Sequence, residues 1–201
     1  IGAVNTLVRV DGGYKGYNTD AIGLYRELEE ENIIIKDKEV IILGAGGASN
    51  AITYICADKG AAKIYLLNRT FDKAKKLADD VNSHFGDVVV PLAISDYRLI
   101  PEGKYPVIQT TSCGLYPHND DAPIYDKEFY ELVEAGVDII FNPAKTMFMK
   151  LCKESGARAY NGLKMLLYQG IAAFELWNDI KVPKNLADKI LGMMERKLKE
   201  S

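Results

Sequence analysis

Residues 40–51 read VIILGAGGASNA, an apolar run that is followed by three glycines and then by small residues. The first four residues have the composition of a buried strand, and Gly44 follows where a side chain would obstruct a tight turn. Gly46 and Gly47 then open a helix, whose free N–H groups and positive dipole end favour an anion. The spacing departs from the usual G-x-G-x-x-G, with Ala48 providing close helix–strand packing. The stretch therefore predicts a loop that binds a dinucleotide pyrophosphate.

Composition narrows the class of protein. The chain has 201 residues, is 48% hydrophobic and carries a net charge of −3, which is typical of one globular domain or of a domain with appendages. A near-neutral chain lacks the basic footprint of a nucleic-acid-binding protein, and no apolar run approaches the ~18–20 residues of a membrane span. Cys56, Cys113 and Cys152 lack metal-type spacing, so we predict reduced thiols in a cytoplasmic protein.

Strand and helix patterns alternate from residue 39 onward. The predicted strands are 39–43, 62–67, 87–91, 106–110, 137–141 and 157–160, and the predicted helices are 46–59, 71–84, 126–135, 162–178 and 183–199. This alternation predicts βαβ units and therefore an α/β fold, a Rossmann-type doubly wound parallel sheet flanked by helices. Right-handed crossovers then place every carboxyl end on one edge of the sheet, where ligands bind.

The first 30 residues have a different pattern. A strand-like run, IGAVNTLVRV, opens the chain, and a helix is predicted over 20–30 with Thr19 or Asp20 as its cap. For Asp20, the capping role ranks ahead of a catalytic one on this pattern alone. Because the chain begins with Ile1 in a strand-like run, we expect it to begin inside a longer protein.

The end of the second strand of the alternation indicates which dinucleotide binds. Asn68 stands where an NAD-binding fold places an acidic residue toward the ribose, and Arg69 follows it. Thr70 is the expected cap of the next helix, and Lys73 lies one turn into that helix. Cations beside a neutral amide favour a 2′-phosphate, so NADP is predicted over NAD. The alternative is an ordinary strand-to-helix turn with a solvated arginine.

Two further loops follow predicted strands. The stretch IQTTSCGLYP, residues 108–117, ends a strand in small hydroxyl residues and a glycine, which can lie against a nicotinamide or a substrate or can simply cap the strand. The stretch FNPAKT, residues 141–146, contains Lys145, which is either a general acid or a solvated surface residue. The residues alone leave both alternatives open.

Taken together and in this order, seven segments of the chain resemble the shikimate dehydrogenase family. They are GAVNT (2–6), GYNTDAIG (16–23), GAGGA (44–48), NRT (68–70), TTSCGL (110–115), FNP-x-x-T (141–146) and GLKMLLYQGIAAFELW (162–177). The resemblance implies NADP-linked interconversion of 3-dehydroshikimate and shikimate, in aromatic amino-acid biosynthesis, by a cytoplasmic two-domain enzyme. It also implies a division of the chain. Residues 1–30 are expected to be a remnant strand and connecting helix of the substrate-binding domain, and residues 31–178 are expected to form the NADP-binding Rossmann domain. Residues 179–201 are expected to form a C-terminal helix that packs back toward the substrate domain.

The resemblance also assigns site residues, and it implies no metal. Substrate is expected to contact Asn5, Asp20 and Gln169, with Asp20 as the carboxylate of a catalytic Lys–Asp pair. The pyrophosphate is expected at Gly44, Ala45, Gly46, Gly47 and Ala48, and the 2′-phosphate at Asn68, Arg69, Thr70 and Lys73. Thr110, Ser112 and the segment from Gly162 to Met165 are expected along the nicotinamide.

This sequence departs from the family pattern in three ways. Phe141 stands where the family commonly has a tyrosine, Lys73 replaces an arginine, and the catalytic lysine of the family lies in an amino-terminal segment outside these residues. We therefore expect residues 1–201 alone to bind NADP without turning over shikimate. The alternatives are an NAD-using paralogue that acts on quinate and a non-catalytic NADP(H)-binding module. The implied partners are small molecules, with no nucleic acid or membrane, and a homodimer is left open.

Overall fold

The computed structural model describes residues 1–200, with side chains through residue 198, so the last residue of the predicted segment 179–201 lies outside the described residues. The strands are β1 (Thr6–Val10), β2 (Gly13–Tyr17), β3 (Glu39–Leu43), β4 (Lys63–Asn68), β5 (Val89–Ala93), β6 (Tyr105–Gln109), β7 (Val133–Asp138) and β8 (Arg158–Asn161). The α-helices are α1 (Thr19–Glu30), α2 (Gly47–Asp58), α3 (Phe71–Phe85), α4 (Lys127–Glu131), α5 (Met147–Glu154), α6 (Leu163–Asn178) and α7 (Lys184–Glu200), and a 3₁₀ helix spans Ile94–Leu99.

Six strands form a parallel sheet in the order β5-β4-β3-β6-β7-β8, while β1 and β2 form a separate antiparallel hairpin. The chain runs outward from β3 to β5, returns to β6 beside β3, and then runs outward in the other direction. This is the doubly wound Rossmann arrangement, and it confirms the predicted fold class. The order reverses between β3 and β6, where Leu43 pairs with Gln109, so the crevice that binds ligands in such sheets opens there.

The strand β3 lies at the centre of the core. Val40 and Ile42 belong to the hydrophobic cluster on one face of the sheet, and Ile41 and Leu43 belong to the cluster on the other face. All four side chains are fully buried. Because both faces are covered, the strand reads as a continuous apolar run rather than as an alternating one.

Close packing of α1 against α6 ties the first 30 residues to the sheet. A Cβ on Gly23 would lie 2.6 Å from the Met165 carbonyl oxygen and 2.8 Å from the Gln169 nitrogen, so the two backbones touch through this glycine. Arg26 of α1 also pairs with Glu175 of α6 at 2.6 Å. The sequence positions Asp20 and Gln169 are thereby held on two helices in direct contact.

Most predicted boundaries of the alternating elements lie within two residues of the observed ones, but the segment 126–141 is wrong. The helix predicted over 126–135 ends at Glu131, and the strand predicted over 137–141 is β7, Val133–Asp138. Gly136 explains the shift, because a Cβ there would lie 2.8 Å from Cys152 Sγ and 3.0 Å from the Phe148 ring. The glycine is a site of close helix–sheet contact inside the strand rather than a boundary signal.

Several elements differ from the pattern-based expectation. The opening strand begins at Thr6, and Gly12, with φ of +83°, turns the chain into β2, which was not predicted because it is glycine-rich and exposed. The helix α5 and the 3₁₀ helix were also missed. The cap of α1 is neither Thr19 nor Asp20 but Asn18, whose Oδ1 accepts from the Ala21 N–H at 3.1 Å.

Candidate active site

The turn after β3 depends on Gly44. Its φ is +110°, in the region that favours glycine, and a Cβ would lie 2.6 Å from Thr110 Oγ1. The Gly44 N–H donates to the Leu67 carbonyl of β4 at 2.7 Å, and Thr110 Oγ1 donates to the Leu43 carbonyl at 2.7 Å. This glycine therefore serves the fold, since it joins the ends of β3, β4 and β6 at the base of the crevice.

Gly46 and Gly47, in contrast, face open space. No atom lies within 4 Å of the Cβ position at either residue, and Gly46 caps α2 without any side-chain hydrogen bond. The Ser49 hydroxyl turns away from the helix start to donate to the Gly44 carbonyl at 2.6 Å. The first N–H groups of α2 therefore point into an open space, the glycine cradle, which side chains at residues 46 and 47 would fill. A pyrophosphate group fits such a space.

The residues predicted for the adenosine end lie together at the end of β4. Asn68 Nδ2 donates to the Thr70 carbonyl at 2.8 Å, and Thr70 caps α3 without a side-chain bond. The side chains of Arg69 and Lys73 are exposed and form no ion pair with any described residue. A cavity of about 310 Å³ connects Asn68 and Arg69 with Gly44 and with the loop after β6. The arrangement leaves two free cations beside a neutral amide.

A second cavity, of about 500 Å³, opens between the loops that follow β6 and β7. Thr110, Ser112 and Phe141 line it. Gly162 and Met165 are not among its lining residues. A side chain on Gly162 would overlap the Ile139 carbonyl oxygen, and Met165 packs into the core beneath the sheet. The structure thus shows packing roles for these two residues.

Near the middle of α6, Gln169 belongs to a small polar cluster with Asn5 and Thr19. Asn5 Oδ1 accepts from the Thr19 N–H at 2.8 Å and from the Thr19 hydroxyl at 3.1 Å, and the same hydroxyl lies 3.5 Å from Gln169 Oε1. Thr19 is fully buried, so it fixes the orientation of the other two side chains. The Asn5 amide oxygen is engaged, whereas its Nδ2 donates to no described residue and remains exposed.

Asp20 lies beside this cluster, in the first turn of α1. Because Asn18 is the cap, the capping explanation for Asp20 does not hold. The half-buried carboxylate has no hydrogen bond or ion pair to any side chain that the structure describes. Lys15, the lysine nearest in sequence, instead places Nζ over the Tyr17 ring at 5.2 Å from the centroid.

Sequence reasoning missed a buried polar network between β6 and β7. Asp138 is fully buried and accepts from Thr146 Oγ1 at 2.6 Å, from the Ile140 N–H at 3.0 Å and from Gln109 Nε2 at 3.3 Å. Burial raises the pKa of Asp138 to about 6 although these hydrogen bonds act in the opposite direction. An acidic residue inside an apolar strand was the available signal, and the misplaced strand boundary concealed its position at the carboxyl end.

Glu27 of α1 was missed as well. It is 1% exposed, its Oε2 accepts from the Met165 N–H near the start of α6 at 3.1 Å, and its Oε1 has no partner. Burial raises the pKa of Glu27 to about 8. The available signal was its position three residues after Leu24 and next to Leu28, which places a carboxyl on the buried face of α1.

Within the residues that the structure describes, no cluster of three or more His, Cys, Asp or Glu side chains is arranged to hold a metal ion. None of the described helices is long and apolar enough to cross a membrane.

Comparison with known proteins gives consistent matches. A family model for shikimate / quinate 5-dehydrogenase matches residues 27–95, and one for the shikimate 5′-dehydrogenase C-terminal domain matches residues 162–189. Shikimate dehydrogenase (NADP(+)) from Carboxydothermus hydrogenoformans is 39% identical over 193 residues, covering 96% of this chain and 68% of that protein.

Solved structures agree. A chorismate mutase/shikimate 5-dehydrogenase fusion protein from Clostridium acetobutylicum has a TM-score of 0.84 and 34% identity, covering 100% of this chain and 68% of its own. A shikimate dehydrogenase in complex with NADP+ has a TM-score of 0.78 and 35% identity, covering 94% of this chain and 66% of its own. The chain thus spans about two thirds of the length of these relatives. With the predicted fold and the glycine cradle in place, these matches show that the chain belongs to the shikimate dehydrogenase family.

Proposed function

We propose that this chain is the cofactor-binding portion of an NADP-dependent shikimate dehydrogenase, which interconverts 3-dehydroshikimate and shikimate. The observation that carries the proposal is the open cradle at Gly46 and Gly47, located at the β3–β6 crevice with free cations at its β4 side. Solved relatives named as shikimate dehydrogenases share that fold. We likewise propose the division into 1–30, 31–178 and 179–201 that the resemblance implies.

The proposed cofactor site follows the edge of the sheet. Gly44 to Ala48 hold the pyrophosphate against the amino end of α2, and Arg69, Lys73, Asn68 and Thr70 surround the 2′-phosphate. Thr110 and Ser112 lie along the nicotinamide, which supplies the hydride chemistry when the cofactor is bound. Gly162 and Met165 contribute by placing the start of α6 beside the loop after β7.

The proposed substrate site uses the polar cluster of α1 and α6. The Asn5 amide nitrogen is free to donate to a substrate hydroxyl because its oxygen is held by Thr19. Gln169 extends from α6 beside it. Asp20 is available to stabilise an ammonium group, and such a group protonates the alkoxide that develops as a carbonyl accepts hydride. These roles suit reduction of a polyhydroxylated cyclic ketone.

Steady-state assays with shikimate and quinate, each with NADP and with NAD, test the activity. In the protein as the cell makes it, shikimate with NADP is expected to support the largest kcat/KM, followed through NADPH absorbance. A preference for quinate with NAD would favour the paralogue, and cofactor binding without turnover would favour a binding module. Residues 1–201 in isolation are expected to bind NADP without turning over shikimate. The catalytic lysine of the family lies outside these residues, and a general acid–base group supplies about 10²–10⁴-fold in rate.

Cofactor choice is tested by Arg69→Ala. The chain is expected to bind NADP more tightly than NAD, and the substitution should remove most of that difference because one charge-assisted phosphate contact contributes about 1–3 kcal/mol. Isothermal titration calorimetry with both cofactors measures the gap. Arg98→Ala is the matched control, since Arg98 is an exposed arginine that pairs with Asp126 and Glu128 and is not among the residues that line this cavity. Equal affinities of the original chain for NADP and NAD would contradict the assignment.

A further inference from the structure

Asp138 is a buried carboxylate without a cationic partner among the described residues. Its three hydrogen bonds all come from neutral donors, namely the Thr146 hydroxyl, the Ile140 N–H and the Gln109 amide. No lysine, arginine or histidine forms an ion pair with it in the described part of the chain. A buried charge is costly unless something compensates it, so this uncompensated anion calls for an explanation.

The position of this carboxylate is at the proposed nicotinamide cavity. Asp138 is the last residue of β7, and the following residues Ile139 and Ile140 line the cavity. On the β6 side, Gln109 Nε2 lies 3.3 Å from Asp138 Oδ1 and 3.3 Å from the Thr111 carbonyl, and Thr111 also lines the cavity. On the β7 side, one hydrogen bond from the Ile140 N–H joins the carboxylate to the cavity wall, and on the β6 side two hydrogen bonds through Gln109 join it to Thr111.

The oxidised and reduced forms of the cofactor, NADP+ and NADPH, differ in charge only at the nicotinamide ring. The nicotinamide ring carries a positive charge when oxidised and none when reduced. We propose that Asp138 is the fixed counter-charge for the oxidised ring, which selectively strengthens binding of NADP+ over NADPH. This inference rests on the proposed function, because it requires the nicotinamide to occupy the cavity between the β6 and β7 loops.

The surroundings favour an ionised Asp138 at neutral pH. All three hydrogen-bonding partners are donors, which matches an acceptor-only carboxylate. The titratable groups that face it are Cys152 of α5 and Tyr130 of α4, and the pKa of both is raised by burial, to about 12 for Cys152. Both stay neutral at pH 7, so Asp138, whose pKa is about 6, is the group that changes charge there.

The test is the ratio of affinities for NADP+ and NADPH, measured by calorimetry at pH 8 in the original chain and in Asp138→Asn. A unit charge at a separation of about 10 Å in a partly screened site predicts that NADP+ binding weakens about tenfold while NADPH binding changes less than about twofold. Glu134→Gln is the matched control, because it removes the same charge from the exposed amino end of the same strand and should leave the ratio unchanged.

Each outcome of this experiment is decisive. A fall in the preference for NADP+ over NADPH supports the inference. An unchanged ratio, including equal weakening of both cofactors, or a ratio shifted toward NADP+ overturns it with the proposed function intact. Failure of the original chain to bind either cofactor overturns the proposed function and this inference with it.

If Asp138→Asn does not fold, the ratio of affinities for NADP+ and NADPH is measured in the original chain as a function of pH. The preference for NADP+ should decline as the pH falls from 8 to 5 and Asp138 becomes protonated, both in the original chain and in Glu27→Gln, which removes the other buried acid that titrates in this range. Both cofactors carry the same 2′-phosphate, so titration of that group cancels in the ratio. His84 and His118 are exposed and have no recorded contact with Asp138 in the described structure. A ratio that stays constant over this range overturns the inference.

Discussion

Replacing Gly46 with valine is expected to weaken NADP binding by at least about 100-fold while lowering the free energy of unfolding by no more than about 1 kcal/mol. The Cβ position at Gly46 is open to space, so the side chain meets no protein atom within 4 Å at its branch point. Its backbone, with φ of −96° and ψ of −168°, is accessible to any residue. The valine instead occupies the volume proposed for the pyrophosphate, at the start of α2.

The neighbouring glycine provides the contrast. Gly44→Val should lower the free energy of unfolding by about 2–4 kcal/mol, because its φ is +110° and its Cβ would lie 2.6 Å from Thr110 Oγ1. Denaturant unfolding and NADP titration of both variants separate a ligand-facing glycine from a structural one. An NADP-induced rise in the melting temperature that persists undiminished in Gly46→Val would show that the cradle does not hold the pyrophosphate.

The parts of the fold that sequence predicts well are those whose local pattern and tertiary role agree. The strand β3 was placed at its observed bounds because it is buried on both faces and ends at glycines that the turn requires. The helix α3 begins at the predicted residue, where Thr70 marks the boundary in the sequence and an amphipathic pattern starts. In such segments, intrinsic preference and packing indicate the same structure.

The parts that failed are those where tertiary contacts override the local signal. Gly136 lies between the predicted helix 126–135 and the predicted strand 137–141, but Cys152 and Phe148 pack on it inside β7. Asp20 resembles a helix cap, but Asn18 takes that role and leaves the carboxylate free. The family resemblance placed the site residues along the sequence, but it gave no indication of the buried acids Asp138 and Glu27. Each of them is held in part by a residue more than 25 positions away in the chain, Gln109 for Asp138 and Met165 for Glu27.

Glu27→Gln is expected to stabilise the protein at pH 8.5 by on the order of 3 kcal/mol and to leave stability at pH 4.5 nearly unchanged. In the folded state, burial raises the pKa of Glu27 from 4.5 to about 8. Between these values the folded chain retains a proton that the unfolded chain releases, so stability falls as the pH rises from about 4.5 to 8. Glutamine keeps an acceptor for the Met165 N–H and never ionises, so it removes this loss.

Urea unfolding at both pH values measures the effect, with Glu29→Gln as the matched control. Glu29 is an exposed glutamate on the same helix, so its substitution should change stability by less than about 0.5 kcal/mol at either pH. Parallel pH profiles for Glu27→Gln and the original chain would mean that Glu27 is ionised without penalty. That penalty comes chiefly from burial, and the charges of Glu31 and Glu30 add to it, whereas the Met165 N–H hydrogen bond and Lys164 oppose it. Lys164 already pairs with Glu30 and Glu31, so Glu27 gains little from it and the acid remains protonated where α1 meets the start of α6.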